Sequence, residues 1–323
     1  MNGEVCSKEE FAALWKKLGS ARKVADHLGI DVRAVYARRN RIEEKLSISL
    51  DSFDIAKEAT ARVHRARVPL NIQDGIVLVA SDAHFWPEIR TTAFRALLHF
   101  LEHMRPRPVA MILNGDMFDG ATISRHPKIG FMEKAPSVQE ELQAVEERLT
   151  EIEDVLPPGC EAIWTLGNHD LRYESFLAAH APQYEGVHGL HLKDKFPRWK
   201  PCWGVHINEG IQSYTVIKHR WHNGTHATHN NVIKAGVNIV TGHLHAPNYK
   251  PWSDYTGTRY GIDCGTLAEP YSEQFVNYTE DGPVNWRSAF AVLTYSGGRL
   301  LLPEFVQRVD DERVEFRGNV IEV

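Results

Sequence analysis

The sequence predicts an α/β protein with two β-sheets packed face to face and helices outside them, preceded by a small all-α domain. Three observations carry this reading. Short apolar runs at 76–80, 109–113 and 162–166 have the length and composition of strands buried on both faces. Amphipathic stretches with helical spacing separate them, as in a sheet covered by helices. The first 46 residues instead carry three short helical periods punctuated by glycine.

A chain of 323 residues accommodates one large α/β domain and an appendage. A hydrophobic fraction of 43% with 24% charged residues is that of a globular protein and excludes disorder as the default. Residues 1–68 carry 14 Lys+Arg against 10 Asp+Glu, so the front is mildly basic, whereas the remainder, with 23 against 32, is acidic. Cys6, Cys160, Cys202 and Cys264 form no C-x-x-C pair, which argues against a zinc ribbon or a disulfide scaffold. The polar first ten residues lack the apolar core of a signal peptide, and no long apolar run occurs. The expectation is a cytoplasmic protein with no membrane partner.

In the first element, Phe11, Leu14, Trp15 and Leu18 recur at helical spacing up to Gly19. Ser20 can cap a second helix that buries Val24, Ala25 and Leu28 and stops at Gly29, and Asp31 can cap a third that turns Val32, Val35 and Ile42 inward. Residues 24–36 resemble a helix-turn-helix DNA-binding unit: Ala25 is small where helices cross, Gly29 permits the turn, and Val35 anchors the second helix. Arg33, Tyr36, Arg38 and Arg39 are then the candidate DNA contacts. The rival is a trihelical protein-interaction module with a solvated basic face, since the net positive charge is small for phosphate-driven binding. The division expected is a helix-turn-helix domain at 1–46, a linker at 47–70 and the main domain at 71–323.

The first strand of the main domain ends in Ser81-Asp82-Ala83-His84, where extended backbone would point Asp82 and His84 to one side. A helix through Phe94, Leu97, Leu98 and Leu101 leads to the second strand, which ends in Asn114-Gly115-Asp116-Met117-Phe118-Asp119. A long helix at 137–155 precedes the third, which ends in Gly167-Asn168-His169-Asp170. Acidic or amide residues at successive strand ends predict one crevice beyond the sheet. Residues 185–212 read as an irregular surface excursion. Strands at 214–218 and 237–241 then deliver His219 and Gly242-His243-Leu244-His245, and residues 252–263 with Phe290, Val292 and Thr294 read as strands of a second sheet.

Asp82, His84, Asp116, Asn168, His219, His243 and His245 offer more oxygen and nitrogen donors than one tetrahedral ion uses, and mixed carboxylate and imidazole ligation suits Mn, Fe, Zn or Ni in a two-ion site. The ordered pieces Asp82-Ala83-His84, Gly115-Asp116, Gly167-Asn168-His169-Asp170, His219 and Gly242-His243-Leu244-His245 resemble the calcineurin-like metallophosphoesterase family over about residues 70–300. The resemblance implies the family's two-sheet α/β/β/α sandwich and two divalent ions, manganese foremost. Asp82, His84 and His245 would hold one ion, Asn168, His219 and His243 the other, and Asp116 both. Arg220 replaces the usual glycine after His219, and nearby His222 competes for that role. Two such ions can activate water and clamp a phosphate during in-line attack. His169 would protonate the leaving oxygen and Asp170 would orient its ring. Arg125, His126 and Arg172 are candidate phosphate contacts.

Protein phosphatases of the family usually carry arginine after the second aspartate of the second motif and glutamate after the third-motif histidine. Asp119-Gly120 and Asp170 stand here, which moves the expectation towards phosphodiesters. The basic head suggests a phosphodiesterase or nuclease brought to DNA, a domain pairing that looks like phage or prophage proteins. The alternatives are a phosphomonoesterase or nucleotide phosphatase with an incidental helical head, and a DNA-binding regulator that uses the main domain as a scaffold.

Overall fold

The computed structural model describes residues 6–18, 20–46, 50, 66–125, 135–199, 201–211, 213–275, 279 and 282–323. The chain divides into two compact units, residues 1–65 and 66–323. No helix among the described residues is long and apolar enough to cross a membrane.

The first unit contains α1 (Lys8–Leu18), α2 (Ala21–Leu28) and α3 (Val32–Leu46). Ser7 and Glu10 form a reciprocal cap at the start of α1, and the Asp31 carboxylate accepts the Arg33 N–H at the start of α3. Gly29 closes α2 with φ of 62°, the left-handed turn for which glycine suits the position. Phe11, Trp15, Val24, Ala25, Val35 and Ile42 make the core, as their spacing predicts. Gly19 lies outside the described residues.

The second unit starts earlier than its sequence suggests. β1 (Arg67–Leu70), expected as linker, pairs in parallel with β6 (Gly204–Ile207) through Pro69 opposite His206. Linker residues 47–49 and 51–65 lie outside the described residues. One sheet is built on parallel β2 (Gly75–Ala80), β3 (Pro108–Asn114), β4 (Glu161–Thr165) and β5 (Pro201–Cys202). The other runs β1-β6-β7-β8-β10-β9, with β7 at Thr215–Ile217, β8 at Asn238–Thr241, β9 at Asn248–Asp254 and β10 at Gly257–Asp263. Thus the excursion expected at 185–212 contains β5 and β6, and it buries Leu192, Phe196 and Trp199.

The run through Phe290, Val292 and Thr294, expected in the second sheet, forms β11 (Ala289–Ser296) in the first, antiparallel to β2 with Val292 opposite Leu78. Its alternation misleads because residues on both of its faces are buried. The sheet then continues through β13 (Glu304–Arg308), β14 (Arg313–Phe316) and β15 (Asn319–Glu322), while short β12 (Arg299–Leu300) also pairs with β11.

Strand alternation sorts the core into two layers. Val77, Val79, Ala110, Ile112, Ala291 and Leu293 meet Val205, Ile207, Ile217, Val240 and Ile262 between the sheets. On the outer face, Leu78, Ala80, Met111, Leu113, Trp164 and Val292 pack with residues of α4 (Thr92–His103) and α5 (Val138–Val155). Farther along, α6 (Asp170–His180) starts directly at the third motif, and α7 (Leu192–Lys195) is a single turn. α8 (Ala227–Ala235) covers the second sheet so closely that a Cβ on Gly261 would overlap the Thr228 carbonyl. The result is the expected α/β/β/α sandwich, with the C-terminal ends of β2, β3, β4, β7 and β8 carrying the polar motifs.

Candidate metal centre

The predicted donors come together from both sheets. Potential ligand atoms of Asp82, His84 and His245 lie within 4.8 Å of one another, as do those of Asp116, His219 and His243. A third group of the same compactness, His84, Asp116 and His169, joins the two. His245 Nε2 is 3.1 Å from Asp82 Oδ1, and His219 Nε2 is 3.1 Å from Asp116 Oδ2 and 4.0 Å from Asp82 Oδ1. His222 is not in the cluster: its ring stacks on Trp221 and its N–H donates to Asn231, so His219 occupies the fourth-motif position.

The local geometry differs from the extended backbone expected of the two D-x-H and H-x-H pairs. β2 ends at Ala80 and β8 at Thr241, and Asp82, His84, Asp116, His243 and His245 have φ of 52°, 42°, 56°, 74° and 57°. Each is in the left-handed region, which costs about 1–3 kcal/mol per non-glycine residue and survives only where the surroundings dictate it. Backbone bonds supply that constraint. Asp82 N–H donates to Gly115, His84 N–H to Asp116 and Gly242 N–H to His219, at 2.9, 2.9 and 2.8 Å.

Glycines bring these loops together. A Cβ on Gly167 would overlap the Asp116 carboxylate and backbone nitrogen, and one on Gly242 would overlap Ser81 Oγ and press on Asp82 Oδ2. Gly167→Ala is expected to cost about 1–3 kcal/mol of stability through overpacking and to weaken ion uptake by displacing Asp116. Calorimetric titration with manganese measures this, and unchanged affinity would show that the contact does not position Asp116.

Hydrogen bonds choose which ring nitrogen faces the cluster. His84 Nδ1 meets Asp119 Oδ1 at 2.9 Å and His219 Nδ1 meets the Asn114 carbonyl at 2.8 Å, leaving each Nε2 for the centre. His84 Nε2, Asn168 Oδ1 and His245 Nδ1 are buried without a hydrogen-bond partner, and His219 Nε2 faces the Asp116 carboxylate. Asn168 stands between Gly167, closely packed on Asp116, and His169, whose N–H donates to Asp116 Oδ1 at 2.7 Å. Buried polar atoms without partners are expensive. This set therefore fits divalent ions bound by mixed imidazole, carboxylate and amide donors.

Electrostatics follow the same map. Burial opposes ionisation of Asp82, but His219 and His245 bring its pKa to about 2. Asp116 also overcomes its burial and is held well below the carboxylate range, chiefly by His219. Burial likewise opposes the charged form of His219, yet Asp116 and Asp82 lift it to about 10. His243 is lowered to about 4 by burial and by charged His219.

Asp170 behaves differently from the role expected of it. Burial disfavours charged His169, but a hydrogen bond to Asp119 and the charges of Asp116 and Asp119 raise its pKa. His169 Nδ1 is 2.9 Å from both the Asp119 carboxylate and its carbonyl oxygen. Asp119 therefore orients this ring. Asp170, expected to do so, instead accepts the backbone N–H groups of Asp116, Met117, Phe118 and Gly167 and the Trp164 indole N–H, at 2.8 to 3.1 Å. Burial, followed by the Asp116 charge, pushes Asp170 up to about 6 against the pull of backbone N–H groups. The aspartate at this position thus serves loop geometry. Asp119 was visible in the sequence as a second carboxylate three residues after Asp116, but its reach to two histidines was not.

Arg172 donates to the Asp119 carbonyl at 2.9 Å and lies 3.1 Å from His169 Nε2, so it belongs to the centre. Arg125 is exposed just beyond the 3₁₀ turn Ala121–Ile123, and no described contact joins it to the cluster. His126 lies outside the described residues.

A two-sheet sandwich with clustered acid and imidazole donors at its strand ends defines a metallophosphoesterase type of protein. Residues 76–273 match the calcineurin-like phosphoesterase model, and the chain belongs to that family. It is similar to the Gene 54 protein of Mycobacterium phage L5, with 24% identity over 266 residues, 76% of this chain and 98% of that protein. Similar solved structures include Vps29 from Entamoeba histolytica complexed with zinc, at 13% identity and a TM-score of 0.38 over 76% of this chain and 96% of that one. Another is PhoD, at 9% identity and a TM-score of 0.39 over 79% of this chain and 72% of that one.

Proposed function

We propose that the protein is a dinuclear-metal-dependent phosphodiesterase acting on nucleic acid. The carrying observation is the set of buried atoms without hydrogen-bond partners, His84 Nε2, Asn168 Oδ1 and His245 Nδ1, arranged with Asp82, Asp116 and His219. Asp82, His84 and His245 would hold one divalent ion and Asn168, His219 and His243 the other, with Asp116 shared. When bound, such ions supply Lewis acidity towards phosphoryl oxygens and depress the pKa of water. His169 keeps Nδ1 on Asp119 while its Nε2 accepts from Arg172, so Nε2 would hand a proton to the leaving oxygen from the imidazolium form, once Arg172 turns to a phosphoryl oxygen. Arg172 places positive charge beside that nitrogen, where a phosphoryl oxygen would meet it.

The helical unit supports targeting to DNA through exposed Arg33 and Tyr36 on α3, and the likeness to a phage protein is consistent with that role. A second reading draws support from the same unit. Arg38 lies 5.3 Å over the Phe11 ring and donates to the Cys6 carbonyl, while Arg39 lies 4.9 Å over Trp15 and pairs with Glu43 at 2.9 Å. Two of the four candidate contacts are thus engaged in packing, as expected of a helical head beside a phosphomonoesterase or nucleotide phosphatase.

The test is turnover of the manganese-loaded full chain on p-nitrophenyl phosphate, bis-p-nitrophenyl phosphate, RNA, and single- and double-stranded DNA. Diester and DNA cleavage is expected, with DNA affinity that falls in salt and in Arg33→Ala. Monoester turnover without cleavage of any nucleic acid would select the second reading.

A further inference from the structure

We infer that Trp286 is a stacking platform for a nucleobase of the substrate, and this rests on the phosphoester reading of the same cleft. Trp286 is half-buried at the edge of the cluster, its ring 4.4 Å from that of His245 and 5.6 Å from that of Phe275. Both contacts are edge-on, at 65° and 85°, and among the described residues no ring lies parallel to the indole. Among the described residues, then, no aromatic ring stacks on its face.

The backbone around Trp286 is tied to the ligand loop. Arg287 N–H donates to the His245 carbonyl at 2.8 Å, Thr266 N–H donates to the Arg287 carbonyl at 3.2 Å, and Ser288 Oγ donates to the Ala268 carbonyl at 2.7 Å. Such anchoring fixes an aromatic ring at low entropic cost. The other cluster residues are polar and suit a phosphoryl group, leaving the group esterified to it to be recognised elsewhere. Trp286, backed by buried Phe275, offers an apolar surface the size of a ring, which suits a planar base and not an extended lipid chain.

The test compares binding of thymidine 5′-monophosphate and ribose 5-phosphate to the manganese-loaded full chain, read by calorimetry and by metal content. The wild-type protein is expected to prefer the nucleotide by about tenfold. Trp286→Leu should erase that preference while keeping ribose phosphate affinity and bound metal, and Trp286→Phe should retain part of it. Equal affinities in the wild type, or an undiminished preference in Trp286→Leu, would overturn the inference. Loss of metal from both variants would also overturn it, by reducing Trp286 to packing for His245. Failure of the wild type to bind either phosphate or to hydrolyse any phosphoester would instead break the underlying reading.

Discussion

Asp116→Asn is expected to lower kcat/KM by roughly a thousandfold, equivalent to ~4 kcal/mol of transition-state stabilisation, and to reduce metal content from two ions per chain to one or fewer. Its side chain belongs to two of the three compact donor groups, with Oδ2 at 3.1 Å from His219 and Oδ1 on the His169 backbone. The amide keeps the shape but removes the charge that, with Asp82, lifts His219 to about 10. Both ion capture and placement of the His169 loop then suffer. Metal analysis beside steady-state kinetics checks this. Wild-type turnover with two ions bound would remove Asp116 from the centre and with it the shared-ligand reading.

The donor cluster was legible because its members follow apolar runs whose ends, all but that before His219, the sequence marks with glycine or with small polar residues. What placed the side chains was not legible. Asp82 and His84 lie two residues apart, which on a strand means one face, yet both have left-handed backbones held by bonds to Gly115 and Asp116. Long-range pairing also decides where β11 belongs. Its hydrophobic pattern fits either sheet, and only its register against β2 puts it in the first. The same distance problem hid Asp119, whose partners His84 and His169 are 35 and 50 residues away. In the helical unit the elements themselves are set by local periodicity and caps, and three short helices with the predicted inward residues are what the described residues contain.

Asp119 and Asp170 are expected to separate catalysis from architecture. Asp119→Asn removes the charge from Oδ1, which meets both His84 Nδ1 and His169 Nδ1 at 2.9 Å, so the histidines lose the partner that sets their tautomer and basicity. A fall in kcat of roughly 10- to 100-fold is expected, with a folded chain and a shifted pH profile, because the Asp119 carboxylate is what helps hold His169 above its ordinary range. Combined with His169→Ala it should add little on the His169 side, since that ring is then gone. Asp170→Ala should act on stability instead. It strands the N–H groups of Asp116, Met117, Phe118, Gly167 and Trp164 in a buried loop, and at about 1–3 kcal/mol for each unmet donor the loss reaches ~5 kcal/mol or more. Melting temperature and kcat measured on both variants decide the matter. A stable Asp170→Ala with collapsed kcat and an Asp119→Asn with wild-type kcat would return the orienting role to Asp170, because the purely architectural role given to it here predicts loss of the fold before loss of turnover.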